Sequence, residues 1–364
     1  MKAPGDVSGW FKNDKSTQVS YMSSIKSILH KQIDLTSENN IYGSGQWVFV
    51  NYAMAGYGFG QIAIAHPELK DSCLKEMKFC IEKLLSDKVK EFDVEAWGED
   101  PIETLNGPNE HVAYLGYLNL LLGMHRMLDK NSEFARLNDT ITHTLVKRFE
   151  KNNRFLLETY PGVIFPADNA PAIGSIGLYS KATGSDYKAF LKKWTTGFKE
   201  LYIDKETKIP VQSIAPVIGP AESKTDVNNF SIPRGSGAAA CIYFLSFADK
   251  ELAESIYNNL KKELKVTFGA FGAVKEYPAK YKNHKGDVDS GPVVLGMSIS
   301  ATGFVVSGAK VFNDYPFFKK LCSLVYLVGI PEQKSKSFRF KIAGNMGNAM
   351  MFAMLTANTK LLAN

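Results

Sequence analysis

The chain has 364 residues, of which 45% are hydrophobic and 22% charged, with a formal net charge of +6. These are ordinary values for a globular protein. The charge is mild and no basic cluster is interleaved with aromatics, which argues against a nucleic-acid surface. No stretch reads as a signal peptide or a membrane span, and the compartment stays open.

The four cysteines do not form a disulfide framework. Cys73 and Cys80 lie two turns apart on one predicted helix, too far for a bridge along a straight helix. Cys241 and Cys322 sit in apolar helix interiors and read as core thiols. No Cys/His spacing suggests a metal site, and no cofactor is expected.

Residues 1–16 read as an N-terminal linker and 17–364 as one domain. From there two kinds of helix alternate. Glycine- and alanine-rich segments, apolar all round, fall at 45–65, 112–128, 169–182, 234–247, 291–311 and 345–357. Amphipathic segments bearing Lys and Glu fall at 17–35, 68–89, 132–151, 185–201, 249–264 and 314–328. A helix apolar on every side is buried on every side, and one with a charged face sits at the surface. Strict alternation of the two predicts an all-α toroid of six helical hairpins, an (α/α)6 barrel.

Links from an inner helix to the next outer one are short, as at His66-Pro67 or Thr183-Gly184-Ser185. Links back to an inner helix are long: 36–44, 90–110, 152–168, 202–233, 265–290 and 330–344. In an up-down toroid all the long links emerge on one face, together with the N-termini of the inner helices, which favour negative charge.

In the first long link, Tyr42 and Trp47 are candidate cavity liners or core aromatics. The second brings Trp97, a stacking platform beside acids or an anchor for an exposed loop. It also brings Glu110, either a first-turn cap or a site carboxylate. The third places Asp168 in the N-cap region of a small-residue helix, pinned by Pro166, Asn169 and Pro171, with Tyr160 nearby. The fourth ends on Arg234, which would hold a ligand or pair with a neighbouring carboxylate. The fifth is the densest in chemistry: Glu276, then Asp287 and Asp289 two residues apart before Gly291-Pro292. Mutual repulsion would raise one pKa of such a pair, which suits a general acid. Asp289 is expected at an N-cap, pointing into the ring. The sixth supplies amides, from Gly344 to Asn348.

This hairpin rhythm, with these inner-helix starts, resembles the (α/α)6 toroid enzymes. One branch is carbohydrate-active, comprising glycoside hydrolases, lyases and epimerases. The other is the linalool dehydratase/isomerase-like family, whose Gly-His-Leu-Asn-Leu segment is similar to Gly116-Tyr117-Leu118-Asn119-Leu120. There Tyr117 stands in place of the histidine, and Thr159 and Asp168 in place of cysteines. The ring of carboxylates favours the first branch, because glycoside hydrolysis needs one acid and one base. The resemblance thus implies a small-molecule or oligosaccharide substrate. Asp289 would be the general acid and Asp168 the general base, with Glu110 able to substitute. Tyr42, Trp47, Trp97, Tyr117 and Tyr160 would line the pocket, and Arg234, Glu276 and Asp287 would bind substrate. The alternatives are a linalool dehydratase-like hydro-lyase or isomerase, and a non-catalytic binding toroid.

Overall fold

The computed structural model describes residues 7–31, 45–214, 232–281, 284, 286–287, 290–334 and 336–363. Six buried helices form an inner ring: α3 (Gln46–Ala65), α6 (Val112–Leu128), α8 (Pro166–Thr183), α10 (Gly235–Leu245), α12 (Ile299–Val311) and α14 (Gly344–Thr356). They touch in chain order, and α14 packs back on α3, so the ring closes. Outside it stand the amphipathic α2 (Lys15–His30), α4 (Lys70–Leu85), α7 (Ala135–Lys151), α9 (Lys188–Tyr202), α11 (Lys250–Leu264) and α13 (Tyr315–Gly329). Each of α4, α7, α9, α11 and α13 packs on the inner helix before it, and α2 packs on α14. This is the (α/α)6 toroid.

Small residues set the ring's tightness. A methyl group at Gly116 of α6 would lie 2.8 Å from the Ala172 backbone nitrogen of α8. One at Gly174 would strike the Phe244 carbonyl of α10. Backbones meet there because no side chain intervenes. The interior is filled by aromatics: Phe244 lies 5.1 Å from Tyr117, 6.2 Å from Tyr57 and 6.4 Å from Phe304, ring centre to ring centre.

Several boundaries differ from the expected ones. The predicted outer helix over 68–89 breaks at Ser86, whose extended backbone separates α4 from α5 (Asp87–Trp97). Gly98, left-handed at φ +74°, then ends α5. The fifth inner helix begins at Ile299, not near 291, and Ser298 caps it by accepting from the Ala301 amide. Asp289, which lies outside the described residues, is therefore not its N-cap. The residues before Ile299 fold instead as a hairpin of β3 (Val293–Val294) and β4 (Met297–Ser298), turned by Leu295 and Gly296 at φ +52° and +79°. Two consecutive positive φ values suit the right-handed twist of a two-residue hairpin. Two further hairpins, β1 (Lys265–Phe268) with β2 (Phe271–Val274) and β5 (Pro331–Lys334) with β6 (Ser337–Phe340), also lie in long links.

The linker reading of 1–16 gives way from residue 7 onward. A short helix α1 (Val7–Phe11) buries Trp10, whose indole N–H donates to Tyr326 Oη at 2.8 Å. The four cysteines are all buried and unpaired. Lys310, at the end of α12, is buried too; its ammonium donates to Asn13 Oδ1 at 2.8 Å and to the Leu355 carbonyl at 2.5 Å. Burial pushes its pKa down from 10.5 to about 7, against a small opposing effect of Cys322.

Two expectations follow from this packing. Replacing Gly174 by Ala should cost about 1–3 kcal/mol through backbone collision. At Gly303 a methyl would meet only methionine sulfurs at 3.6 Å, so alanine there should stabilise by up to about 1 kcal/mol of helix propensity. Urea unfolding of both variants reads the opposite signs. For Lys310, the unfolded chain holds the proton more tightly than the folded one, so stability should rise with pH from about 7 towards 10.5. The melting temperature of the wild type should gain on that of Lys310→Met across this window, and parallel curves would contradict it.

Candidate active site

Backbone hydrogen bonds stitch the second to fifth long links into a belt beside the inner-helix starts. The Val112 amide at the start of α6 donates to the Glu158 carbonyl at 3.4 Å. Ile164 bridges to Ile214, and Val211 to Pro233. The Gly235 amide opening α10 donates to the Glu276 carbonyl at 2.7 Å, and the Glu276 amide to Gly296 at 2.9 Å. Side chains at the inner-helix starts are held against this belt.

Asp168 lies in the first turn of α8, behind Pro166. Pro166 suits that position because a first-turn N–H has no helical partner to lose. Asn169 clamps the loop in front: its Oδ1 accepts from the Leu157 amide at 2.7 Å, and its amide donates to the Leu157 and Phe165 carbonyls, each at 3.0 Å. Asp168 itself is half-buried. Its charge reaches the buried Cys241 of the adjacent α10, whose thiol pKa is pushed up first by burial and then by this carboxylate.

Arg234, the N-cap residue of α10, is buried and fully engaged. Its Nε donates to Glu276 Oε1 at 2.7 Å, and its two terminal nitrogens grip Asp287 at 2.5 and 2.6 Å. Burial alone would lower its pKa, but the two carboxylates overcome this and raise it. Ser236 Oγ also donates to Glu276 Oε1, at 2.6 Å, while Glu276 Oε2 is buried without a hydrogen-bond partner. Asp287, whose side chain is 48% exposed, is fixed further by the Ser290 amide at 3.2 Å. Tyr277 lies against the guanidinium, 5.5 Å from ring centre to Cζ. The structure thus brings Arg234, Glu276 and Asp287 together as an internal clamp, with Asp287 its solvent-facing end.

Glu110 is also engaged. Its Oε2 accepts from the Glu158 amide at 2.5 Å and faces Arg154 at 3.5 Å, and its Oε1 accepts from Asn152 at 3.3 Å. It fastens the 152–158 link to the start of α6, and burial raises its pKa. Trp97 ends α5 rather than riding on an open loop, and the ring of His111 lies 4.8 Å away. Tyr117 is half-buried inside the ring against Phe244 and Phe49. Trp47, in the first turn of α3, and Tyr160, at a tight turn with Val163, are half-buried. Tyr42 and Asp289 lie outside the described residues.

Sequence reasoning passed over His111. It is fully buried at the N-cap of α6, in the left-handed region at φ +47°. Its Nδ1 lies 2.6 Å from Asp93 Oδ2 and its Nε2 3.2 Å from Glu99 Oε1. Each ring nitrogen thus has a carboxylate oxygen within hydrogen-bond distance. Asp93 Oδ1 and Trp97 Nε1 beside it are buried without partners, as are both amide atoms of Asn51 on α3. The available signal was an acid five residues before Gly98 and another one residue after it, with a histidine at the next helix start.

No family model matches this sequence. Solved structures resemble it in fold. An inactive variant of an α-1,6-mannanase from Salegentibacter sp., in complex with α-1,6-mannotetrose, matches at a TM-score of 0.52 and 12% identity, covering 94% of this chain and 99% of that one. A family 76 α-mannanase of Bacteroides thetaiotaomicron matches at 0.54 and 8%, over 97% and 98% of the two chains. A family 105 glycoside hydrolase of C. acetobutylicum matches at 0.51 and 11%, over 93% and 99%. These neighbours come from the carbohydrate-active branch, and they give no support to the linalool dehydratase resemblance. At such identities the likeness is one of architecture: the chain has the (α/α)6 toroid fold of these glycoside hydrolases.

Proposed function

We propose that the protein is a glycoside hydrolase acting on an oligosaccharide at the mouth of the toroid. The observation that carries this reading is Asp168: a half-buried carboxylate in the first turn of an inner helix whose start is fixed by Pro166 and by the Asn169 clamp. Rigid placement of an ionisable group is what acid–base catalysis requires. The fold supports the reading as analogy, since this scaffold hosts more than one chemistry.

The mannanase variant that is inactive has two consecutive aspartates replaced by alanine. This chain contains no two consecutive aspartates. Our assignment instead takes its acid and base from separate links. In our assignment Asp168 is the base and Asp289 the acid. Asp287, held by Arg234 through two hydrogen bonds, accepts substrate hydroxyls. Glu110, occupied by the 152–158 link, organises the site rather than substituting in the chemistry. Tyr42, Trp47, Trp97, Tyr117 and Tyr160 are the proposed stacking and lining groups.

The test is a panel of oligosaccharides that includes α-1,6-mannotetraose, with products read by chromatography. Cleavage of at least one member is expected. Asp168→Asn and Asp289→Asn should each lower turnover by about 10²–10⁴-fold, the usual contribution of general acid–base catalysis, with melting temperatures close to wild type. Binding of a glycan without cleavage would move the protein to a non-catalytic role. Large destabilisation by both substitutions would mark the two residues as structural.

A further inference from the structure

The β5–β6 hairpin occupies the sixth long link and combines two features that seldom coexist at a free surface. Side chains alternate across a strand. Phe338 and Phe340 point inward, 6% and 1% exposed, and pack on Tyr21 and Tyr326. The alternate residues Arg339 and Lys341 are exposed, as are Lys334 and Lys336. One acid answers these four bases: Glu332, which pairs with Arg339 at 2.7 Å and Lys334 at 3.1 Å. Residues 331–341 therefore carry a net charge of +3, four bases less one acid.

Beside this basic face lies exposed aliphatic surface. Leu327 and Val328 in the last turn of α13 are 53% and 49% exposed, and Ile330 and Ile342 are 49% and 60% exposed. Ile330 and Ile342 are neighbours, because the Lys341 amide donates to the Ile330 carbonyl at 3.0 Å and the Ile342 amide to Gly329 at 3.1 Å. Ile330 sits at φ +51°, a left-handed conformation that is a genuine outlier for a β-branched side chain. The chain thus holds an aliphatic group outward in a strained backbone, and strain of this kind concentrates where a ligand is met.

We propose that this corner docks the protein reversibly on an anionic lipid surface. The four aliphatic side chains enter the boundary between headgroups and acyl chains, and Lys334, Lys336 and Lys341 meet anionic headgroups. Exposed aliphatics flanked by a net-basic stretch match both halves of such an interface. Charge disfavours a second copy as occupant, because a two-fold contact would bring +3 against +3. None of the described helices is long and apolar enough to cross a membrane, which fits attachment at the surface.

The experiment is co-sedimentation of the whole protein with vesicles of phosphatidylcholine alone and of phosphatidylcholine mixed with phosphatidylglycerol, at low and high salt. Binding is expected only to the mixed vesicles, weakening as salt screens the headgroups. The double variant Ile330→Asn/Ile342→Ser should bind about tenfold more weakly or worse. Asparagine is at home in the left-handed region, so this variant should fold at least as well as the wild type. The variant Lys334→Glu/Lys341→Glu should lose the salt-sensitive part of the binding. Failure to bind the mixed vesicles would overturn the proposal. Equal binding to both vesicle types would do so as well, as would binding untouched by either variant. A doubled mass in solution that Ile330→Asn abolishes would assign the corner to self-association instead.

Discussion

Backbone-to-backbone contact between inner helices is the constraint on which the molecule depends. Gly116 against Ala172 and Gly174 against the Phe244 carbonyl let α6, α8 and α10 approach until their main chains touch. That approach narrows the ring, so the starts of successive inner helices come close together. Only then can the second to fifth long links reach one another and form a belt. The belt in turn holds Asp168, Arg234 and Glu276 in fixed places. Packing in the ring and placement of charge at the mouth are two results of one choice of small residues.

The charges at the mouth are held chiefly by other charges. Arg234 joins a buried carboxylate to a half-exposed one, and His111 stands between Asp93 and Glu99 in the same way. Removing one member of such a group strands another in a poor solvent for ions, so each is strongly tied to its partners. This arrangement favours geometry over net stability. Asp287 and Glu99 are the members that reach solvent, and each is oriented by a buried side chain behind it, Arg234 and His111 respectively.

The toroid was legible because its signal is repeated and local. An all-apolar helix beside an amphipathic one needs no long-range information, and both the alternation and the asymmetry of link lengths appear directly in the structure. What was not legible depends on contacts across the chain. Arg234 finds Glu276 and Asp287 at separations of 42 and 53 residues. His111 finds Asp93 on a helix that was expected to end before it. The break at Ser86 carries neither Pro nor Gly. Gly291-Pro292 imitates a helix start, whereas the left-handed turn at Leu295 and Gly296 opens a hairpin of two-residue strands, too short for any periodicity to register. The acid–base pair is legible as residue types in two loops, and its roles stand as the proposal above.

Ring closure has a consequence for the nascent chain. Gln61 on α3 bonds to the Ala353 carbonyl of α14 across 292 positions. At roughly 5–20 residues per second, α3 waits about 15–60 s on the ribosome for its second neighbour. Throughout that time the groove at Gly58, which receives Phe352 in the finished protein, faces solvent or whatever else is at hand. The toroid cannot be completed piecemeal from its N-terminus. Its last inner helix is the keystone, and truncations near the C-terminus leave an open arc with two unpaired apolar flanks.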